Sequence, residues 1–551
     1  MTTTWNWLWE KHDQVKDLFR FFVKPGETID KKKGRKSEAT VGGYGGNDDK
    51  ESGGKRPYTR AQLTGLILGP LLFLITILFI SPEGLSSGGV GILASTIWIA
   101  VWWMFEAIPI PATALLPLIL FPLTNGLELE ATASAYGNGT IFLFLGGFVL
   151  ALAMERWNLH RRIAINIISV MGTNTDRIIL GFMIATGFLS MWISNTATAM
   201  MMVPIGLAIT YQVADALKHD PSVDTSKNNF GFGKAIMLGI AYSASLGGMA
   251  TLIGTPPNAI LAGLVKELFG YEISFATWML FGVPFAWVFI FITWFYLTRF
   301  AYPLKLKTLP GGKKIFDDEK KKLGKASYEE KAVFIIFVLT ALAWITRTFV
   351  LNEINPNIDD AMIAIMAAML LFLIPAKNSK ASKLMDWDAA VKLPWGILLL
   401  FGGGLAIAAG FISSGLSEWI GTRLTALQDV HTLVLILCVA ALVLALTEIT
   451  SNTATATMMY PIMAALALAV DVHPLVLMIT AGLAASCAFM LPVATPPNAV
   501  VFGSGYLRIP DMAKAGFFLN ILAVLLITVV VYFLVPLAFG FEINSFPDSF
   551  K

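Results

Sequence analysis

The chain has 551 residues, 56% of them hydrophobic and only 14% charged, against roughly 25% charged residues in an average soluble domain. That balance argues against a water-soluble fold. With 26 prolines, 47 glycines and 22 methionines, it predicts long apolar helices interrupted by breakers: an all-α polytopic membrane protein embedded in a lipid bilayer. Two cysteines exclude a disulfide scaffold or an iron-sulfur protein, and five histidines without an HxxxH or CxxC pattern leave no recognisable transition-metal site. The net charge of +3 says little by itself, because its distribution matters more than its sum; no nucleic-acid partner is expected.

Residues 1–60 are polar and basic. Glu10, Asp13 and Asp17 stand where a cleaved signal peptide needs an apolar stretch, so the N-terminus is expected to be retained. Trp5, Trp9, Phe19 and Phe22 recur near helical spacing among Lys11, Lys16, Arg20 and Lys24, as in an amphipathic helix lying on a membrane surface; a partly disordered tail is the alternative. Residues 26–56, with Lys31-Lys32-Lys33 and a GGYGG run, read as a flexible linker.

Apolar segments follow at 61–80, 88–105, 107–123, 139–154, 177–212, 235–266 and 278–298. Beyond a polar break at 299–331 come 332–351, 360–376, 393–412, 431–470, 474–505 and 513–537. Two of these, 177–212 and 431–470, are too long for one span: about 36 residues rising ~1.5 Å each make ~54 Å of helix, against a hydrocarbon core of ~30 Å. Each is therefore a full hairpin, a re-entrant hairpin or a broken helix.

Charge discriminates among these. Of the 40 Lys and Arg, 13 fall in 1–60, 10 in 299–331 and 4 in 377–392, and the positive-inside rule puts all three stretches in the cytoplasm. An even number of crossings must then separate residue 60 from residue 299, as it does if 177–212 enters and leaves on one side. Arg156, Arg161 and Arg162 fall inside on that count, and the loops 124–138 and 352–359, which contain no Lys or Arg, fall outside. The rule predicts about 11 transmembrane helices plus two re-entrant hairpins in the plasma membrane, with a cytoplasmic N-terminus and an external C-terminus. The expected organisation is a cytoplasmic segment at 1–60, a first helix and first repeat at 61–298, a cytoplasmic linker at 299–331, a second repeat at 332–540 and an external tail at 541–551.

The repeat is read directly. IFLFLGG at 141–147 recurs as ILLLFGG at 397–403, ISNTATAMMMVPI at 193–205 as TSNTATATMMYPI at 450–462, and IGTPPNAI at 253–260 as VATPPNAV at 493–500. The last offset is shorter because the first half carries a polar insertion near 218–234. In the predicted topology the halves are inverted, and two inverted repeats containing interrupted helices are the architecture of secondary transporters.

Ser194-Asn195-Thr196 and Ser451-Asn452-Thr453 sit in mid-segment, where lipid cannot satisfy hydroxyl and amide groups. If they form hairpin tips, the second arms begin there and present free N–H groups and a positive dipole end that favour an anion. The Thr-Pro-Pro-Asn runs remove two donors at Pro256-Pro257 and Pro496-Pro497, freeing carbonyls that favour a cation. Ser190 shares a helical face with Ser194, as Thr447 does with Ser451. Oxygen donors without a carboxylate suit a monovalent ion such as Na+. The plainer reading is a hydroxyl bonded to its own i−4 carbonyl and a proline kink, but paired occurrence in both halves favours function. Glu106 and Glu448 are intramembrane carboxylates and functional candidates, Glu448 as a possible tuner of the cation site; a protein-filled position is the alternative. The methionine runs at 200–202 and 458–459 read as packing.

These paired motifs, with FLFLGGFVLALAMERWNLH, PWGILLLFGGGLA and MLPVATPPNAVVFGSG, resemble the divalent anion/sodium symporter family from about residue 60 to residue 540, and its bacterial sodium-dependent dicarboxylate symporters in particular. The resemblance implies a homodimer in which a mobile domain carries C4-dicarboxylates such as succinate, malate and fumarate across by an elevator movement. It implies substrate binding by Ser194, Asn195, Thr196, Ser451, Asn452 and Thr453, with Thr255, Pro256, Thr495 and Pro496 at the helix breaks. It implies two or more Na+, one on Ser190, Ser194, Asn195 and Gly254, the other on Thr447, Thr450, Asn452 and Ala494. A sodium-independent dicarboxylate exchanger and an anion channel remain as alternatives. An enzyme is not expected, because the one GxSxG match, Gly84 to Gly88, lies in a short loop without the strand-turn-helix setting of a nucleophile elbow.

Overall fold

The computed structural model describes residues 58–218, 224–227, 229–304, 320–378 and 381–550, and every extended element within them is helical. The surface helix and linker expected in residues 1–57 lie outside the described residues. Among the described residues, eight helices are long and apolar enough to cross a membrane, or nine if Leu416–Leu427 and Thr432–Thr447, bent by 116°, count as one. Ile110–Leu123, Asp360–Leu373 and Pro474–Ala485 are shorter apolar helices, and the expected count of crossings needs them as well.

Local chemistry sets the ends of these helices. Thr59 and Gln62 close a capping box on Arg60–Phe79, as Ser327 and Glu330 do on Tyr328–Thr346. Ser87–Phe105 stops where Glu106 takes a left-handed conformation (φ 45°) ahead of Pro109. Burial then sorts the helices by depth. Arg60–Phe79 buries only Gly65, Gly69 and Thr76, so its remaining apolar surface suits lipid. Gly231–Gly248 is buried from Phe232 to its end, and Pro474–Ala485 along its whole length. These two are the central posts of the molecule.

Each long apolar segment folds back on itself beside a post. In the first half, Thr175–Ser190 and Asn195–Ala216 join through residues 191–194, and both arms pack on Gly231–Gly248. A Cβ at Gly206 would sit 3.6 Å from the Phe182 ring, a contact that only antiparallel arms allow. The second arm pair, Thr432–Thr447 and Asn452–Ala469, packs on Pro474–Ala485, and Gln428 donates to the Ala469 carbonyl (2.8 Å), bringing the open ends together. Close approach needs small residues: a Cβ on Gly247 would collide with the backbone of Gly187 in the first arm.

The halves are interleaved. Pro256–Phe269, which follows the first Thr-Pro-Pro-Asn, packs on Asn452–Ala469 and Trp395–Ser413 of the second half. Pro496–Phe502, after the second, packs on Gly231–Gly248 and Asn195–Ala216 of the first. At one face Arg156 pairs with Asp386 (2.5 Å) and Arg162 with Glu330 (2.9 Å), which gathers the stretches that the charge pattern assigns to one side. The Arg156 hydrogen bond holds the Asp386 carboxyl below the usual carboxylate range.

Candidate functional site

The hairpin tips meet the helix breaks at the middle of the molecule. At the first tip Ser194 caps the second arm, its Oγ accepting from Ala197 N (3.2 Å), which leaves the amides of Asn195 and Thr196 without partners inside the helix. Ser190 Oγ lies 2.5 Å from Asn195 Oδ1 and 2.6 Å from the Ala244 carbonyl. A hydroxyl has one proton and cannot serve both acceptors. Turning the Asn195 amide relieves the shortage, with Nδ2 donating to Ser190 Oγ (2.5 Å), Ala244 O (3.0 Å) and Gly254 O (3.3 Å). Unturned, four oxygens converge with a single proton among them, an arrangement that a monovalent cation completes.

The second half repeats this geometry. Thr447 Oγ1 lies 2.7 Å from Asn452 Oδ1 and 2.8 Å from the Ala485 carbonyl, so Thr447, Asn452 and Ala485 stand where Ser190, Asn195 and Ala244 stand in the first half. The plainer reading of the hydroxyls fails at these two positions. Thr186, Thr210, Thr340 and Thr480 bond their own i−4 carbonyls, whereas Ser190 and Thr447 reach across to another helix. It holds for Thr450, whose Oγ1 donates to Leu446 O (2.7 Å).

The breaks are held open by their asparagines, a role that the Pro-Pro reading missed although the residue is part of the motif. Asn258 Nδ2 reaches the carbonyls of Gly248 (3.3 Å), Met249 (3.3 Å) and Thr251 (2.8 Å). Asn498 Nδ2 does the same with Ala488 and Leu491 (both 3.0 Å). Each asparagine thus satisfies carbonyls of the loop that precedes its own helix, and Gly254 O is left to face Asn195.

Glu448 has a structural task. Its carboxylate accepts from Phe489 N (2.8 Å), Met490 N (3.0 Å) and Asn520 Nδ2 (2.7 Å), pinning the unwound stretch before the second break. Only donors surround it, so the charged form is the one accommodated. Glu448→Gln puts an NH2 group among those donors and should destabilise the fold by about 1.5–3 kcal/mol. A lowered melting temperature in detergent is the expected result; an unchanged one would remove the carboxylate from that task.

One cavity of about 870 Å3 joins these parts. Ser194, Asn195, Thr196, Ser451, Asn452, Thr453, Thr255, Pro256, Thr495 and Pro496 all line it, together with Gly254, Thr450 and Ala494. Ser190 and Thr447 are fully buried behind the tips. Ser245, which the sequence did not single out, lines it too. Glu106 is the one ionisable side chain among the described lining residues, so an anion here meets amides, hydroxyls and helix N-termini without a basic side chain. The cavity also reaches Thr59 and Gln62 at the first turn of Arg60–Phe79.

Comparison with known proteins gives the family. Residues 60–539 match the sodium:sulfate symporter transmembrane region. The chain is 53% identical over 493 residues to the sodium-dependent dicarboxylate transporter SdcS of Staphylococcus saprophyticus, covering 89% of this chain and 94% of that protein. It is 52% identical over 494 residues to the protein of the same name in Staphylococcus aureus strain USA300, with the same coverage. Among solved structures, the Alcanivorax borkumensis YdaH transporter shares the fold, with a TM-score of 0.52 at 14% identity over 81% of this chain and 99% of that one. The chain belongs to the sodium:sulfate symporters, the divalent anion/sodium symporter family, and is a multi-pass membrane transporter.

Proposed function

We propose that the protein is a Na+-coupled symporter that brings C4-dicarboxylates such as succinate, malate and fumarate into the cell. The observation that carries this reading is the pair of matching oxygen clusters, around Ser190 and around Thr447, flanking one cavity that offers an anion only neutral donors. The staphylococcal relatives, named as sodium-dependent dicarboxylate transporters, support it. One Na+ sits on Ser190, Ser194, Asn195 and Gly254, joined by the Ala244 carbonyl. Another sits on Thr447, Thr450, Asn452 and Ala494, joined by that of Ala485. The dicarboxylate lies between the tips, held by Ser194, Asn195, Thr196, Ser451, Asn452 and Thr453 and bordered by Thr255, Pro256, Thr495 and Pro496.

Coupling follows from shared side chains. Asn195 and Asn452 face both cation and anion, so each ligand raises the affinity for the other by the same factor. The hairpins, posts and breaks of both inverted repeats move as one body against the scaffold of each protomer in a homodimeric elevator. Because the cavity reaches the first turn of Arg60–Phe79, beside the basic N-terminal stretch, the conformation described is open to the cytoplasm.

Labelled succinate uptake into proteoliposomes tests the reading, with an inward Na+ gradient against K+ and choline controls, and with or without internal succinate. Saturable uptake that needs external Na+ and proceeds into empty vesicles is expected. Uptake indifferent to Na+ but dependent on internal dicarboxylate would make the protein an exchanger, and flux that never saturates would make it a channel.

A further inference from the structure

Two buried tyrosines cross between the halves at the helix breaks. Tyr242 lies on the first post, two residues before Ala244, and its hydroxyl donates to the Phe489 carbonyl in the unwound stretch of the second half (3.0 Å). The two rings pack edge to face with centroids 5.1 Å apart. Tyr460 lies on the second arm of the second hairpin, beyond Asn452, and donates to the Pro257 carbonyl (2.8 Å), inside the Thr-Pro-Pro-Asn of the first half. Both side chains are fully buried.

Each tie continues to a cation cluster at both ends. From Ala244 the route runs along the post to Tyr242, across to Phe489, through the Phe489 amide to the Glu448 carboxylate (2.8 Å), and so to Thr447, its chain neighbour. The other route runs from Gly254 through Pro257 to Tyr460 and along one helix to Asn452. Two hydrogen-bonded routes of opposite direction thus join the same two clusters. A cation that draws in the Ala244 carbonyl pulls on the helix carrying Tyr242, and with it on the backbone of the other site.

We infer that Tyr242 and Tyr460 are positioning residues that make the two cation sites cooperative, so that filling either one raises the affinity of the other. The inference rests on the two-cation reading above and deepens it.

The test is uptake by the full chain in proteoliposomes as a function of Na+, reading the Hill coefficient and the half-saturating concentration. Tyr242→Phe and Tyr460→Phe keep the rings and remove only the ties. Each should bring the Hill coefficient from about 2 towards about 1 and raise half-saturating Na+ by roughly 5-fold, with the maximal rate kept. Gly482→Ala should act like Tyr460→Phe without touching the tyrosine, because its Cβ would come within 2.6 Å of the Tyr460 hydroxyl. Tyr136→Phe, which loses a bond to the Ala114 carbonyl away from both clusters, should keep the wild-type curve.

Wild-type steepness and half-saturation in both tyrosine variants would overturn the inference, as would a lower maximal rate with an unchanged curve. A wild-type protein indifferent to Na+ would overturn the symport reading itself, and this is seen before any variant is made. Should a variant transport too little, Na+-dependent thermal stabilisation in detergent yields the same two parameters from binding alone.

Discussion

Alanine at Asn195 or at Asn452 should abolish Na+-driven succinate uptake, a loss of about 100-fold or more, while the protein stays folded. The Asn195 amide lies against Ser190 Oγ and, turned, donates to it and to the Ala244 and Gly254 carbonyls; Asn452 Oδ1 accepts from Thr447 Oγ1. On the symport reading, truncation removes a cation ligand and a cavity-facing amide in one step, and leaves buried polar partners unmet at about 1–3 kcal/mol each. Two such losses account for about a 100-fold effect at ~1.4 kcal/mol per tenfold change. Folding should survive, because alanine starts a helix without strain and the Ser194 cap on the first arm is untouched. Uptake in proteoliposomes, paired with melting temperature and gel filtration in detergent, checks both halves of the statement. Wild-type uptake by both variants would dismiss the site.

Gly248→Ala should raise the half-saturating Na+ concentration by about 10- to 100-fold. A Cβ on Gly248 would stand 2.6 Å from Asn195 Oδ1, 3.0 Å from its Nδ2 and 3.0 Å from the Gly254 carbonyl, inside the first oxygen cluster. Neither neighbour can yield easily, since Asn195 begins the hairpin arm and Gly254 is backbone in a loop clamped by Asn258. Overpacking of this kind costs about 1–3 kcal/mol, which sets the range. The repeat supplies the control: the counterpart of Gly248 is Ala488, which already carries a Cβ. Ala488→Gly should therefore leave the Na+ dependence nearly unchanged. If Gly248→Ala kept wild-type Na+ dependence, the first cation would have to lie elsewhere.

Much of this was legible in the chain because it rests on short-range rules. Apolar runs with few charges are helices in lipid, since no other segment satisfies its own backbone there. Segments 177–212 and 431–470 exceed one span by simple length, and both fold back at Ser-Asn-Thr. Repetition marked residues that the fold brings together: the ten named from paired motifs all line one cavity. The proline pairs 256–257 and 496–497 each open a new helix, whereas the single prolines at 70, 204, 284 and 461 lie within continuous ones, so it is the doubling that marks the breaks.

What lay beyond the sequence depends on contacts between distant segments. The carbonyls of Ala244 and Ala485 complete the clusters, yet alanine in an apolar helix carries no signal, and a carbonyl becomes a ligand only when a neighbouring arm leaves it facing a hydroxyl. Glu448 was visible as a costly intramembrane carboxylate, but that its partners are the amides of Phe489 and Met490 and the side chain of Asn520 follows from a loop brought back across the half. The ties from Tyr242 and Tyr460 exist because each break packs into the opposite half. Composition and motif by themselves determined the class, the repeat and the residues around the cavity, because helix formation and chain breaking are local. Only the tertiary structure decided how the oxygens pair and which half holds the other open, because buried hydrogen bonds in lipid are settled by whichever distant group arrives to satisfy them.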